Sequence, residues 1–111
     1  RKVYKVIGKP KDPNHPISKR EMYIDAQVNE IPVSLIYDRK GDWWKTFVIG
    51  HANPLRHLDV NKKSLSIVHD AAVLVDVQAE HCTTLYFHGV VSPDVEKPQI
   101  FSVQQLRSSG T

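Results

Sequence analysis

The sequence lacks the features that would place it in several specialised classes of protein. It has a single cysteine, Cys82, so no internal disulfide can form, and it has no Asn-x-Ser/Thr acceptor for glycosylation. No apolar run approaches the length of a membrane span, and no signal-peptide pattern opens the chain, whose first residue is Arg1. These absences favour an intracellular location, cytoplasmic or nuclear, without a membrane partner. We interpret the chain as a fragment of a larger protein.

Motifs for covalent chemistry or cofactors are also lacking. There is no Gly-x-Ser-x-Gly nucleophile motif and no glycine-rich loop for phosphate. The six histidines, at positions 15, 51, 57, 69, 81 and 88, have no spacing typical of a zinc hairpin, and one cysteine cannot build a structural zinc site. We therefore expect no enzyme activity, no cofactor and no metal, with histidines on the surface and in turns. Cys82 is expected to be a small buried residue.

What the sequence does contain fits one globular domain of 111 residues, 41% hydrophobic and 24% charged. The net charge of +3 is unevenly distributed, because residues 1–20 carry seven basic residues against one acid, whereas residues 21–111 carry eight basic and eleven acidic residues. We interpret residues 1–20 as a basic arm with an edge strand and a Pro-rich loop. Residues 21–111 are interpreted as a single β-rich domain.

Alternating apolar and polar residues predict a mostly β fold. The segments 22–28 and 31–37 alternate cleanly. A two-residue loop at Asn29-Glu30 would place their apolar side chains on one face, with Met22 opposite Tyr37. Further strands are expected at 3–7, 43–49, 65–68, 73–77, 83–91 and 100–103, with turns at 38–41, 69–72 and 92–94, a short helix from 53 to about 58, and a helical end at 104–107.

Two adjacent tryptophans mark the start of the strand at 43–49. Neighbouring strand residues point to opposite faces, so Trp43 and Trp44 cannot fill the same core. One of them is left to cover a second layer or to contact a partner. This feature indicates binding rather than catalysis.

Between Val33 and Val77 the chain resembles a divergent Tudor domain. Residues 37–45, Tyr-Asp-Arg-Lys-Gly-Asp-Trp-Trp-Lys, are similar to the first hairpin of that family, and residues 65–73 are similar to its later strand. Residues 82–85 and 89–93 resemble a further strand of extended Tudor domains. The resemblance implies a small twisted β-barrel of the Tudor or SH3-like type, with additional strands and one short helix.

Tudor domains that bind methylated arginine use an aromatic cage around the cation. Tyr37 and Trp44 match two of the cage positions, whereas Val68, Ala71 and Val73 stand where the family has other residues. The resemblance therefore implies methylarginine binding that is weak or absent.

The leading hypothesis is a non-catalytic module that binds a peptide or a partner protein, in small-RNA silencing or ribonucleoprotein assembly as the resemblance implies. Two aspartates at the rim would attract Arg or Lys in the peptide. The expected peptide-binding residues are Tyr37, Asp38, Asp42, Trp43, Trp44 and Phe47.

Two alternatives remain open. One is a nucleic-acid-binding β-barrel whose basic arm holds phosphates. The other is an assembly domain in which the spare tryptophan and Phe47 form a dimer contact. The phosphate-binding residues of the first alternative would be Lys2, Lys5, Lys9, Lys11, Lys19 and Arg20.

Overall fold

A computed structural model describes residues 1–64, 66–91 and 101–110. Six strands form one antiparallel sheet in which each strand pairs with its neighbours in the sequence, and a short helix lies near the end of the described chain. The mostly β prediction is confirmed. The elements are β1 Val3–Gly8, β2 Ile17–Asp25, β3 Val33–Asp38, β4 Trp43–Ala52, β5 Val68–Asp76, β6 His81–Tyr86 and α1 Val103–Ser109.

The predicted closed barrel is wrong, because β1 and β6 form the two edges of an open sheet. Closing a sheet requires its first and last strands to pair. The apolar and polar alternation within each strand determines which side chains share a face. It does not determine whether the two edges meet, so the barrel could not be established from the strand pattern.

The register of β2 against β3 also differs from the prediction. Met22 pairs with Ser34 instead of Tyr37, and Tyr23 pairs with Val33. Ile24 therefore lies on the same face as Ile36, not on the same face as Leu35. The cause is the connection between the strands, which is longer than two residues.

Asp25 organises this longer connection. Its Oδ1 atom accepts hydrogen bonds from the backbone N–H groups of Gln27 at 2.8 Å and Val28 at 3.2 Å. Its own N–H donates to the carbonyl of Glu30 at 2.8 Å, and Asn29 adopts a left-handed φ of 57°. The hydrogen bond from Gln27, followed by that from Val28, holds the pKa of the Asp25 carboxyl below its usual range against the effect of burial.

β5 runs unbroken through residues 69–72, which were predicted as a turn. The segment before it contains two 3₁₀ turns, Pro54–Arg56 and Asp59–Asn61. Asn53 caps the first turn by accepting a 2.9 Å hydrogen bond from the N–H of Leu55, so the predicted helix start is confirmed as a single 3₁₀ turn. Of the strand predicted at 65–68, residue 65 lies outside the described residues and β5 begins at Val68.

The end of the chain follows the prediction only in part. β6 stops at Tyr86, so residues 87–91 are not a strand, and the turn predicted at 92–94 lies outside the described residues. The strand predicted at 100–103 is wrong in its described part, because Val103 begins α1. The helical end is confirmed, with Ser102 accepting a 3.1 Å hydrogen bond from the N–H of Gln105 as the cap.

The sheet has almost no conventional core. Among the described residues, the buried apolar side chains are Ile36, Val68 and Ala72. The residues of α1 are exposed, and the helix has no extensive contact with a strand. Cys82 is exposed, so its predicted burial is wrong. None of the described helices has the length and apolar character needed to span a membrane.

Candidate functional site

One face of the open sheet carries apolar side chains on all six strands. At one end of this face lies a polar row that contains Arg20, Lys45, Asp76 and His81. Paired residues on adjacent strands share a face, and the observed register aligns one row that runs from edge to edge: Val6, Met22, Ser34, Phe47, Leu74 and Thr83. Neighbouring rows add further large side chains. We call this surface the apolar face, and its apolar residues are Val6, Met22, Ile24, Ile36, Phe47, Ile49, Ala72, Leu74 and Leu85.

The apolar face is uncovered within the described part of the chain. Its centre contains buried residues with small side chains, Ser34 and Ala72, which lie between larger neighbours. The Ser34 hydroxyl is buried and has no hydrogen-bond partner in the described structure. At the edges the side chains are open to solvent, with Val6 40% and Leu85 47% exposed. Exposed apolar surface is a common feature of binding sites.

The opposite face is mixed in character and carries charged groups near the β1 edge. Glu21 on β2 forms ion pairs with Lys5 at 2.9 Å and with Lys19 at 3.0 Å. The hydrogen bond from Lys5, followed by that from Lys19, holds the pKa of the Glu21 carboxyl below its usual range. These three charged groups therefore pair with one another within the protein.

An open cleft of about 1080 Å³ adjoins one end of the apolar face. Ile49 belongs to both, and Pro32 and Leu55 add apolar lining. The segment 53–67 supplies most of the other wall, including three basic side chains: Arg56, Lys62 and Lys63. The cleft therefore joins an apolar floor to a partly basic rim.

Three potential metal ligands meet beside this cleft. Glu30 lies in the loop after β2, His51 near the end of β4 and His69 near the start of β5. The Glu30 Oε2 atom is 3.5 Å from His51 Nε2 and 3.7 Å from His69 Nε2. The two imidazole rings are packed edge to face, with centroids 4.9 Å apart. The expectation of histidines dispersed over the surface missed this convergence.

A buried amide links the segment 53–67 to the end of the described sheet. Asn61 is completely buried, and its Nδ2 atom donates to the Gly89 carbonyl at 2.7 Å, while its Oδ1 accepts from the Val91 N–H at 2.8 Å. Asn61 Nδ2 also lies 2.9 Å from Nδ1 of His57. The other ring nitrogen of His57, Nε2, is 3.2 Å from Asp70 Oδ1. Because an amide nitrogen only donates, His57 accepts at Nδ1 and donates from Nε2 to the Asp70 carboxylate.

The predicted peptide-binding residues do not form one surface. Tyr37 and Trp43 are cross-strand partners, but the register places Phe47 on the other face from Tyr37. Trp43 is 49% exposed, whereas Trp44 is half-buried. The Tyr37 ring carries Lys19 Nζ at 4.0 Å from its centroid, so the protein's own cation occupies one expected cage position.

The two predicted rim aspartates lie in a turn. Asp38 Oδ1 accepts from the N–H groups of Lys40 at 2.9 Å and Asp42 at 3.0 Å, and Oδ2 accepts from the Gln78 side chain at 3.0 Å. The Gln78 hydrogen bond is the largest cause that holds the pKa of the Asp38 carboxyl below its usual range. The predicted turn at 38–41 is confirmed by the 3.0 Å hydrogen bond from Gly41 N to the Asp38 carbonyl.

The predicted phosphate-binding residues are divided between ion pairs and solvent. Besides Lys5 and Lys19, which pair with Glu21, Lys2 lies 5.5 Å from the ring centroid of Tyr4. These residues do not converge on a groove. The remaining members are exposed: Lys9, Lys11 and Arg20.

Comparison with known proteins gives two matches. The sequence model of a family described as "Protein of unknown function (DUF1329)" matches residues 1–107. The fold is similar to the crystal structure described as a "putative outer membrane lipoprotein-sorting protein domain from Vibrio parahaemolyticus", with a TM-score of 0.68 and 19% sequence identity over 95% of this chain and 42% of that one. The chain therefore spans less than half of the length of that domain. No curated protein matches the sequence.

These findings correct the interpretation drawn from the sequence. The Tudor resemblance is wrong, because a different family model matches almost the whole chain and the similar solved fold is a bacterial envelope domain. The expected role in small-RNA silencing or ribonucleoprotein assembly, the Arg-rich peptide partner, the nucleic-acid alternative and the intracellular location are contradicted by the same findings. The short hairpin motif that carried the resemblance, residues 37–45, is a common combination of turn and strand residues.

Proposed function

The chain belongs to the DUF1329 family, and we propose that it forms part of an envelope domain that binds the fatty-acyl chains of lipids or lipoproteins on the apolar face. The proposed role is non-covalent binding, without enzyme activity. Binding of this kind requires a long apolar surface that a bound ligand shields from water.

The observation that carries the proposal is the uncovered apolar face. An apolar strand face normally packs against a helix or a second sheet. Within the described residues, neither covers this face, although nine apolar side chains contribute to it. Filling that surface with a hydrocarbon chain would remove both partners from water.

The dimensions of the face fit an acyl chain. Six strands spaced about 4.8 Å apart make a row of about 24 Å. The hydrocarbon core of a bilayer is about 30 Å thick, so each leaflet, which is filled by one layer of acyl chains, is about 15 Å thick. Each buried CH₂ group contributes about 0.8 kcal/mol. A single row is therefore long enough to shield most of one chain.

The fold comparison supports the same proposal. The similar crystal structure is described as a lipoprotein-sorting domain of the outer membrane, and its fold includes the sheet described above. This chain spans 42% of that structure. We accordingly propose a surface within a larger acyl-binding domain, located in the cell envelope.

A fluorescent fatty-acid probe tests the proposal directly. The chain should bind the probe saturably, and a phospholipid or a synthetic acylated lipopeptide should displace it. Comparison of the two competitors distinguishes lipid from lipoprotein as the source of the acyl chain. A deacylated peptide of the same sequence should not compete.

Two neighbouring residues of β4 provide matched variants. Phe47 lies on the apolar face and Val48 on the opposite face. We expect Phe47→Ser to weaken probe binding about tenfold or more, because a phenyl ring contributes about 1.5–3 kcal/mol when buried, and Val48→Ser to change it less than twofold. Both variants are checked for folding by circular dichroism. Absence of saturable binding, or equal weakening by both folded variants, would overturn the proposal.

A further inference from the structure

The clustering of Glu30, His51 and His69 is specific in its distances. The Glu30 carboxylate oxygen lies 3.5 Å and 3.7 Å from the Nε2 atoms of the two histidines. The potential ligand atoms of all three residues lie within 4.8 Å of one another. These separations are long for hydrogen bonds, so the three groups approach without completing a direct hydrogen bond.

The two separations from Glu30 are close to the spacing of ligands around a tetrahedral ion. Zinc binds histidine nitrogen and carboxylate oxygen at about 2.0–2.2 Å, so adjacent ligands of a tetrahedral site lie about 3.3–3.6 Å apart. Two distances observed between Glu30 and the histidines fall at or close to this range. All three potential ligand atoms lie within 4.8 Å of one another, so binding one ion would draw the two histidine nitrogens closer together.

The second observation is the unpartnered nitrogen of His51. Its Nε2 atom is buried and has no hydrogen-bond partner in the described structure, and only 12% of its side chain is exposed. A buried polar atom without a partner is unfavourable by about 1–3 kcal/mol. His51 is nevertheless oriented toward the two other potential ligands, with its ring against that of His69 at 73°. A metal ion would satisfy this atom.

The backbone around the three ligands is fixed without a metal. The loop that carries Glu30 is held by Asp25, whose N–H donates to the Glu30 carbonyl at 2.8 Å. His51 and His69 are cross-strand partners on β4 and β5. Because the sheet sets their backbone positions, the two histidines are held near each other before an ion binds.

We propose that Glu30, His51 and His69 form a binding site for a divalent transition-metal ion of the Zn²⁺ class. Two imidazoles and one carboxylate suit such an ion. His69 is 52% exposed at its side chain and Glu30 38%, so the remaining coordination positions face solvent. The ion would connect the loop after β2 to the ends of β4 and β5, beside the cleft that adjoins the apolar face. This site does not depend on acyl-chain binding.

Calorimetric titration of the metal-free chain with Zn²⁺ tests the site. The protein must carry no oligohistidine tag, because a tag would itself bind the ion. We expect saturation at one equivalent. In an NMR titration, the Nε2 signals of His51 and His69 should shift together while that of His81, at the start of β6, should not.

Three ligand variants and one control make the result decisive. We expect His51→Gln, His69→Gln and Glu30→Gln each to weaken Zn²⁺ binding about 10–100-fold or more, while His81→Gln leaves it unchanged. His69 and Glu30 have partly exposed side chains, so their substitution should not impair folding. These two variants therefore still test the site if His51→Gln does not fold. Lack of saturable Zn²⁺ binding, or undiminished binding in folded His69→Gln and Glu30→Gln, would overturn the proposal.

Discussion

The indole N–H of Trp44 donates a 3.1 Å hydrogen bond to Asp76 Oδ2, which joins β4 to the end of β5. Lys45 Nζ lies 3.8 Å from the same carboxylate oxygen and 4.2 Å from the Trp44 ring centroid. Asp76 Oδ1 accepts from the N–H groups of Gln78 and Ala79. The Ala79 hydrogen bond is the largest cause that holds the pKa of Asp76 below its usual range, and Trp44 contributes to it. Trp44 is therefore occupied within the sheet and is not available as a ligand cage.

Replacing Trp44 by Phe should lower stability. The substitution keeps an aromatic ring but removes the donor to Asp76, so we expect the thermal midpoint to fall by several degrees. Trp43→Phe is the matched control, because Trp43 is 49% exposed and its N–H donates to the nearby Thr46 hydroxyl at 3.1 Å. The two midpoints are measured by circular dichroism. A larger fall for Trp43→Phe would contradict this assignment of roles.

The tryptophan pair illustrates what could be predicted from sequence. Strand alternation correctly separates the environments of Trp43 and Trp44, since one is exposed and the other half-buried. The partner of Trp44 is 32 residues away. That distance in sequence exceeds what a local pattern can determine, because the pairing of β4 with β5 depends on how the intervening segment folds.

The same limit explains the missed ligand cluster and the missed apolar face. His51 and His69 pair only because the segment 53–67 closes between β4 and β5, and residues 69–72 resembled a turn. The apolar face requires the correct β2–β3 register. The observed register follows from a longer connecting loop, which the Asp25 side chain caps. Apolar alternation alone could not distinguish this loop from a two-residue turn at Asn29-Glu30.

Acid should destabilise the sheet through four carboxyl groups. Each has a folded-state pKa below its ordinary value, so the stability it contributes is complete above the unfolded pKa of about 4 and is lost as the pH falls through the lower folded-state pKa. We expect urea midpoints that fall steeply below pH 4. Glu21→Gln should flatten this fall, whereas Asp59→Asn, at an exposed 3₁₀ turn, should not. The four groups are Glu21, Asp25, Asp38 and Asp76.

Substitution of Gly41 should lower the stability of the protein because of its backbone conformation alone. Its φ is +90°, and a Cβ atom built there would have no neighbour within 4 Å. Gly41→Ala should therefore lower the free energy of unfolding by about 1–2 kcal/mol through conformational strain alone. Gly41→Asn should lower it less, because Asn tolerates left-handed backbone conformations better. Urea unfolding of both variants measures the difference, and an equal effect of the two substitutions would contradict this explanation.

Asn61 should be the most sensitive residue of the segment 53–67. Its side chain is completely buried and bonds to the Gly89 carbonyl and the Val91 N–H, so Asn61→Ala leaves both backbone groups without this partner. An unsatisfied buried group costs about 1–3 kcal/mol, and we expect a loss of at least that size in the free energy of unfolding.

The direction of each hydrogen bond allows a sharper test. Asn61→Asp preserves an acceptor for the Val91 N–H but replaces the donor to the Gly89 carbonyl and to His57 Nδ1 with a second acceptor. At neutral pH this variant should be no more stable than Asn61→Ala, although it is closer in shape to the original side chain. Ser64→Ala, at a half-buried position of the same segment, serves as the control. If Asn61→Asp retained full stability, the amide would not be acting as the donor, and His57 would have to bind through the opposite ring tautomer.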